Sequence, residues 1–482
     1  VLDRLSPSDL EALRSGTPWI PNPGPQSRAY RSPADELYFG GAAGGGKTQL
    51  GIGLALTAHR DSLILRRRAV DAKSLSKAIQ SLGYGAWKWN GSGGELRTPD
   101  GRTVEVGGCE HEDDRTKYQG NPHDLLVFDE LPHFCYNPVM ETLTETGWKR
   151  IADVCPGERV LALTPDGVAR YELVTAAQEF DYDGELYETA NRSIRYSVTP
   201  NHKMVVRSQK KAGWVFCEAR DMERFPSHPF DSEWAGEERD WVSLPPPTPG
   251  RGVGPNQNSA PGLSADDYLE LLGWFLSEGS AFRRKAGRGC ACVSIRQTKD
   301  APSLAALMSR LPWRVRTEPG EGYLIFSRQL YEHLSPLGTV YTKRVPRWVM
   351  SLSRRQLRIV FEAFVSGDGM RCKNGAIQLG LANEGLIDDL QEIAAKLGHR
   401  STKSKDIARG EYVVHRLYVH ARRGGVVQDR PKNRRLVPYK GKVCCVTVEP
   451  SHTLLCRHEG RVLWSGNSES QYTFIIGWNR PL

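Results

Sequence analysis

Phe128-Asp129-Glu130-Leu131-Pro132-His133-Phe134 runs straight into Cys135-Tyr136-Asn137-Pro138-Val139-Met140, and the chain changes character between the two. Upstream, Leu125-Leu126-Val127-Phe128 leads into two carboxylates, as a buried parallel strand does when it delivers acids to its C-terminal edge. Downstream, short alternating runs broken by turns such as Pro165-Asp166-Gly167 continue to about residue 245 and read as an all-β unit. Two kinds of fold therefore meet at Cys135.

At 482 residues the chain exceeds one ordinary core and fits roughly two to four domains. Its formal net charge of +9 suits nucleic-acid contact without specifying it. None of the ten cysteines forms a CxxC pair, which argues against a zinc knuckle, and Cys290 and Cys292 fall in an apolar run as packing residues. No secretory signal or membrane span is legible, so the expected location is a reducing cytoplasm.

Working back from Asp129, Glu36-Leu-Tyr-Phe-Gly40 reads as a strand, followed by Gly41-Ala42-Ala43-Gly44-Gly45-Gly46-Lys47-Thr48 and a helical run from Gln49. This is GxxxxGK[ST] in its strand–loop–helix setting. Gly41, Gly44, Gly45 and Gly46 let backbone N–H groups wrap phosphates, Lys47 reaches the β/γ-phosphates of ATP, and Thr48 with Asp129 holds Mg2+. Glu130 is then the water-activating base. Arg66, Arg67 and Arg68 end a strand and read equally as solvated bases or as groups facing phosphate. Residues 1–134 with 468–482 resemble the ATPase of a phage terminase large subunit. That resemblance implies viral DNA packaging, with contacts to portal and phage DNA. Only residues 468–482 follow the insert, so the host segment is expected to be a truncated terminase that cannot package by itself.

Segment 135–467 resembles a self-splicing intein. Cys135 opens it, Thr199-Pro200-Asn201-His202 matches the internal TxxH block, and Val443-Cys444-Cys445-Val446-Thr447-Val448, His452 and Val462 to Asn467-Ser468 match the closing blocks. Removing 135–467 would join Phe134 to Ser468 and restore what reads as uninterrupted terminase sequence. In the implied chemistry the Cys135 thiol, which ionises near neutral pH, attacks the Phe134 carbonyl. His202 protonates the departing nitrogen, and Thr199 donates to the carbonyl oxygen or strains the bond. Ser468 then takes the acyl group and Asn467 cyclises. Two residues depart from the family pattern. Gly466 stands where histidine is usual, which leaves His452 to assist cyclisation. Cys445 stands where aspartate is frequent, able to relay a proton or bond Cys135. Cys444 and Cys456 read as core.

Inside the insert, Leu271-Leu-Gly-Trp-Phe-Leu-Ser277-Glu278-Gly279 and Phe361-Glu-Ala-Phe-Val-Ser-Gly367-Asp368-Gly369 resemble the paired motifs of a LAGLIDADG homing endonuclease. That family is monomeric here, pseudo-twofold, and cuts double-stranded DNA, in this case an intein-free terminase gene. Glu278 and Asp368 would hold Mg2+. Lys403 reads equally as a catalytic-region lysine or as a solvated surface lysine.

The expected fold class is thus multidomain: an interrupted P-loop α/β ATPase fragment, an all-β Hedgehog/intein (HINT) splicing domain and an α+β LAGLIDADG endonuclease. The expected divisions are 1–134, 135–245, a linker 246–263, 264–428, 429–467 and 468–482. Competing readings are a splicing-impaired insert in a truncated packaging ATPase, and a DNA-binding protein without catalysis.

Overall fold

The computed structural model describes residues 19–40, 46–66, 75–80, 88–90, 94–108, 116–118, 120–129, 135–191, 193–207, 213–222, 226–230, 232–248, 259–283, 291–297, 300–318, 320, 322–408, 412–423, 426–428, 431–467 and 472–477. It separates into two compact units, Val1–Phe134 with Ser468–Leu482, and Cys135–Asn467.

The first unit holds a seven-stranded sheet in the order 36–40, 472–477, 125–128, 61–66, 103–108, 95–97, 88–90. The strand Asp61–Arg66 runs parallel to both Thr103–Gly108 and Leu125–Phe128. The helix Lys47–Thr57 packs closely on this sheet because Gly51 has no side chain, and a Cβ there would lie 2.8 Å from Val127 Cγ1. The sheet is mixed rather than parallel throughout. Tyr472–Gly477 inserts antiparallel to Glu36–Gly40 and to Leu125–Phe128. With 135–467 removed, only 129–134 and 468–471 would separate these neighbours, fewer than the dozen or so residues a parallel crossover needs.

The second unit is built on a long hairpin, Val168–Ala190 against Arg434–Glu449, whose register runs from Leu173↔Glu449 to Thr189↔Arg434 with a bulge at Val174/Ala176. Around it, short strands close over a core of Tyr136, Leu143, Val160, Tyr196, Val205, Leu455 and Trp464. Several of these strands, among them Arg159–Leu163, Lys203–Arg207 and Thr453–His458, are buried along most of their length as short continuous apolar runs.

The rest of the unit repeats one plan twice. The helix Ala265–Glu278 is followed by strands 279–283 and 291–296, a helix 301–310, and strands 314–318 and 322–326. The helix Arg354–Asp368 is followed by strands 370–371 and 377–381, a helix 384–396, and strands 399–408 and 412–423. Both sheets have the order first, second, fourth, third. Both leading helices begin on a serine cap, Ser264 accepting from Asp267 N and Ser353 from Gln356 N. Both end on an extended glycine, Gly279 or Gly369. A single bridge, Thr402↔Arg461, continues the second sheet into the β core of 135–467. The stretch expected to be linker ends in structure, because Gly262–Ser264 pairs with Trp241–Ser243.

Candidate functional site

Three groups of the sequence-derived residues fall in distinct places. In the first unit, Gly46 adopts the left-handed conformation (φ 77°) that caps the helix starting at Lys47, which glycine reaches without a Cβ penalty. Thr48 Oγ1 lies 3.0 Å from both oxygens of Asp129, so the strand end and the helix start converge. Arg66 joins them through Nη2, 2.9 Å from Asp129 Oδ2. Gly41, Gly44, Gly45 and Glu130 lie outside the described residues, as do Phe134 and Ser468.

The ends of the second unit lie in one buried β arrangement. Tyr136 N donates to the Cys444 carbonyl at 2.8 Å and Cys444 N to the Tyr136 carbonyl at 3.0 Å. This hydrogen-bonded pair places Cys135 directly across from Cys445, where non-hydrogen-bonded neighbours approach most closely. The two thiols lie together in a small buried cluster with Leu186 and Val443, close enough to interact. That contact and burial push the Cys135 thiol well above its ordinary range. The expectation of a thiol that ionises near neutral pH is corrected here. Cys135 rests as a neutral thiol and has to lose its proton as it attacks. Iodoacetamide should therefore label exposed Cys155 at least about tenfold faster than buried Cys135 or Cys445 in the folded chain, as peptide mapping would read. Equal labelling would contradict this packing.

Thr199 faces the same junction. Its Oγ1 accepts from the Cys135 N–H at 3.1 Å and donates to the Cys135 carbonyl at 3.5 Å, so it holds the nitrogen of the 134–135 bond, whose own carbonyl lies outside the described residues. A tight turn, with His202 N donating to Thr199 O at 2.9 Å, brings His202 beside it. His202 is fully buried, its Nε2 2.9 Å from Ser465 Oγ and its ring edge-on to Tyr136. At the other end, Asn467 is fully buried, its N donating to the His452 carbonyl at 2.9 Å and its Nδ2 to the Val448 carbonyl at 3.4 Å. His452 sits at φ 52°, a left-handed conformation rare outside glycine and concentrated at functional positions. Glu172 holds the preceding residue, accepting from Ser451 N at 3.0 Å and from Ser451 Oγ at 2.7 Å. Gly466 is sterically required, because a Cβ there would stand 2.5 Å from the Lys203 carbonyl. Cys444 and Cys456 are buried among the core residues.

The third group lies where the two serine-capped helices cross. A Cβ on Gly273 would meet the Val360 carbonyl at 2.5 Å and Ala363 Cβ at 2.6 Å; one on Gly367 would meet Ser277 Cβ at 2.7 Å. These pairs are pseudo-equivalent, and the small residues let the backbones touch. Glu278 and Asp368 end the two helices side by side. Gln297 spans them, donating to Glu278 Oε1 at 3.2 Å and to the Gly367 carbonyl at 3.1 Å. Lys343 Nζ, almost fully buried, donates to the carbonyls of Phe275 at 2.5 Å and Gly279 at 2.7 Å, the C-terminal end of the first helix.

Burial lowers Lys343 to about 8, against the opposing pull of Asp368 and Glu278. Between about pH 8 and the unfolded value near 10.5 the unfolded chain alone holds this proton, so stability should rise with pH across that window. Glu278→Gln should lower the Lys343 titration further, as an NMR titration of the metal-free protein would show; an unchanged midpoint would contradict the proximity. The lysine beside the acids is thus Lys343. The expected candidate, Lys403, instead pairs with Asp388 at 2.7 Å and Glu384 at 2.8 Å.

Two carboxylates beside helix-end carbonyls form a hard oxygen donor set of the kind Mg2+ accepts while keeping water or phosphate ligands. Among the described residues no cluster of three or more His, Cys, Asp or Glu forms a complete cage. Arg296, Arg314 and Arg316 share one exposed face of the first sheet. Arg416 is exposed on the second.

No protein-family model matches the chain. The C-terminal section of the DNA-directed RNA polymerase subunit beta of Stigeoclonium helveticum is 23% identical over 456 residues, covering 81% of this chain and 41% of that protein. The ATP-dependent Clp protease proteolytic subunit of Chlamydomonas moewusii is 23% identical over 286 residues, covering 56% of this chain and 28% of that protein. The chain thus spans less than half the length of these curated relatives. Among solved structures, mesophilic variants of the homing endonuclease I-DmoI share 16% identity, covering 32% of this chain and 88% of theirs, with a TM-score of 0.26. I-DmoI in complex with DNA and Mn gives the same identity and TM-score. The AceL NrdHF class 3 split intein shares 9% identity, covering 70% of this chain and 99% of its own, with a TM-score of 0.25. At these scores the likenesses establish no activity.

Proposed function

We propose that 135–467 is a self-splicing intein that carries a DNA endonuclease, and that 1–134 with 468–482 is its host, a P-loop ATPase segment. The observation that carries this reading is the division of the chain. The compact second unit begins at Cys135 and ends at Asn467, the two residues whose side chains would cut the chain at its ends.

The Cys135 sulfur attacks the Phe134 carbonyl carbon and gives up a proton that in net ends on the departing nitrogen, with Thr199 holding that nitrogen. The C–N bond breaks, His202 supplies the proton to that nitrogen, and a thioester forms. The Ser468 hydroxyl displaces the thiol to give a branched ester. Asn467 Nδ2 then closes on its own carbonyl carbon and expels the Ser468 amine, which takes the acyl group from its own oxygen.

The endonuclease reading rests on the doubled plan and on Glu278 and Asp368 at its axis. A bound divalent cation would supply charge neutralisation and an activated water there. The chain's own residues present the acids, hold them through Gln297, keep a cation nearby in Lys343, and offer the arginines of the sheets to the phosphates of double-stranded DNA. For the host, Thr48 and Asp129 meet as an ATP–Mg2+ site requires. Its place in a terminase, with portal and phage DNA as partners, rests on the sequence resemblance.

Intact mass of freshly expressed protein tests splicing. The expected products are residues 135–467 alone and a ligated host, both absent in Cys135→Ala with Asn467→Ala. One unchanged 53.8 kDa species would refute active splicing. Cutting of a duplex carrying the joined Phe134–Ser468 codons with Mg2+, lost in Glu278→Gln and in Asp368→Asn, tests the nuclease.

A further inference from the structure

Tyr136 follows Cys135 in sequence, yet its hydroxyl serves the opposite end of the unit. The phenol donates to the Gly466 carbonyl, one residue before Asn467. Its backbone is fixed by two bonds to Cys444 and by a bridge to Val198. Its ring is fully buried and packs edge-on against His202 with centroids 4.3 Å apart. Ser465 closes the group: its hydroxyl is 2.9 Å from His202 Nε2, whose ring packs on Tyr136, and it interacts favourably with the ionised form of the Tyr136 phenol. A chain of buried polar contacts therefore runs from the histidine of the N-terminal junction to the peptide that leads into the terminal asparagine.

We propose that Tyr136, steadied by Ser465, is the positioning residue for asparagine cyclisation, filling the orienting role that Gly466 leaves open. Cyclisation forms a bond from Asn467 Nδ2 to the Asn467 carbonyl carbon and breaks the bond from that carbon to the Ser468 nitrogen. The proton lost by Nδ2 ends on the departing amine. The reaction needs the Asn467 side chain folded back over its own carbonyl. A hydrogen bond on the Gly466 oxygen fixes the Gly466–Asn467 peptide plane, and with it the backbone torsion that aims that side chain. A phenol suits the task because it is rigid and donates one hydrogen bond from an apolar ring. Burial keeps it protonated, holding its acidity far from neutral pH. A histidine at 466 would do the same from the other side, but the Lys203 carbonyl excludes it.

The inference rests on the splicing reading, and the two are separated by resolving the steps in the full chain. C-terminal release is followed by mass spectrometry in a Cys135→Ala precursor, and dithiothreitol thiolysis at Phe134 in an Asn467→Ala precursor. Tyr136→Phe should slow C-terminal release about tenfold or more and change thiolysis by less than about threefold. Ser465→Ala should also slow C-terminal release, and Ser465→Thr, which keeps the hydroxyl, should restore it. Thermal midpoints that match the parent exclude a folding defect. If Tyr136→Phe misfolds, the Ser465 pair decides. Equal slowing of both reactions, no slowing of C-terminal release, or failure of the threonine rescue overturns the inference. Absence of both reactions in the two parent precursors overturns the splicing reading and this inference with it.

Discussion

Gly466→His is expected to slow C-terminal release about tenfold or more, although histidine is the usual residue there in the family the segment resembles. The reason is steric. A Cβ at this position would lie 2.5 Å from the Lys203 carbonyl and 2.9 Å from a ring carbon of Phe216. The first is a backbone atom of the strand Lys203–Arg207, which pairs with the strand bearing Gly466 through Met204↔Ser465. It has little room to yield. Overpacking of this kind costs about 1–3 kcal/mol, and here the strain falls on the peptide next to the reacting asparagine. The measurement is the rate of C-terminal release in the Cys135→Ala precursor. Faster release would show that the strands part readily and that glycine is a loss rather than a requirement.

Glu392→Gln is expected to destabilise 135–467 by about 3–5 kcal/mol, the cost of leaving a buried charge without its counter-ion. Glu392 and Lys396 are both fully buried, 2.6 Å apart on one helix. Arg347 Nη1 lies 2.7 Å from the same carboxylate, and the Tyr171 hydroxyl donates to it at 3.1 Å. Lys396 also lies over the rings of Tyr171 and Trp234. Burial opposes ionisation of Glu392, but Lys396 and Arg347 together outweigh it and hold the carboxyl below its ordinary range. Its contribution should be fully present above the unfolded value near 4.5 and be lost as pH falls through the lower folded value. Tyr171 belongs to the long hairpin and Glu392 to the doubled α/β plan, so the pair joins the two parts of the unit. Urea unfolding of an Asn467→Ala precursor reads the change. A shift under about 1 kcal/mol would mean that water or rearrangement relieves the orphaned lysine. Replacing Glu392 and Lys396 together with apolar residues should cost much less, since neither charge is then stranded.

Some parts of this protein are local and were legible as such. The apolar run into Asp129 announces itself because a buried strand needs only a short, contiguous pattern. The two helices ending in Glu278 and Asp368 are similar: their small residues sit at spacings only a close helix crossing explains. Cys135 and Asn467 could be picked out as the ends of a segment because the proposed splicing reaction requires those atoms at those positions.

Other parts depend on residues distant in sequence. Thr199 both accepts from the Cys135 N–H and donates to the Cys135 carbonyl, because the bonds a hydroxyl makes are set by the strand it faces. Lys403 was singled out and Lys343 was not, because only the fold shows that one is drawn into Asp388 while the other caps the first helix. Gln297, Ser465 and Tyr136 carry no motif, and each matters through a partner brought in from elsewhere in the chain. The sequence by itself determined the order of the segments, the reactive residue types and the points where the chain changes character, since those follow from covalent chemistry and hydrophobic period. The tertiary structure decided which groups meet, which thiol is neutral and why glycine stands at 466. Distances, burial and the exclusion of a single Cβ are properties of chain segments that touch only after folding.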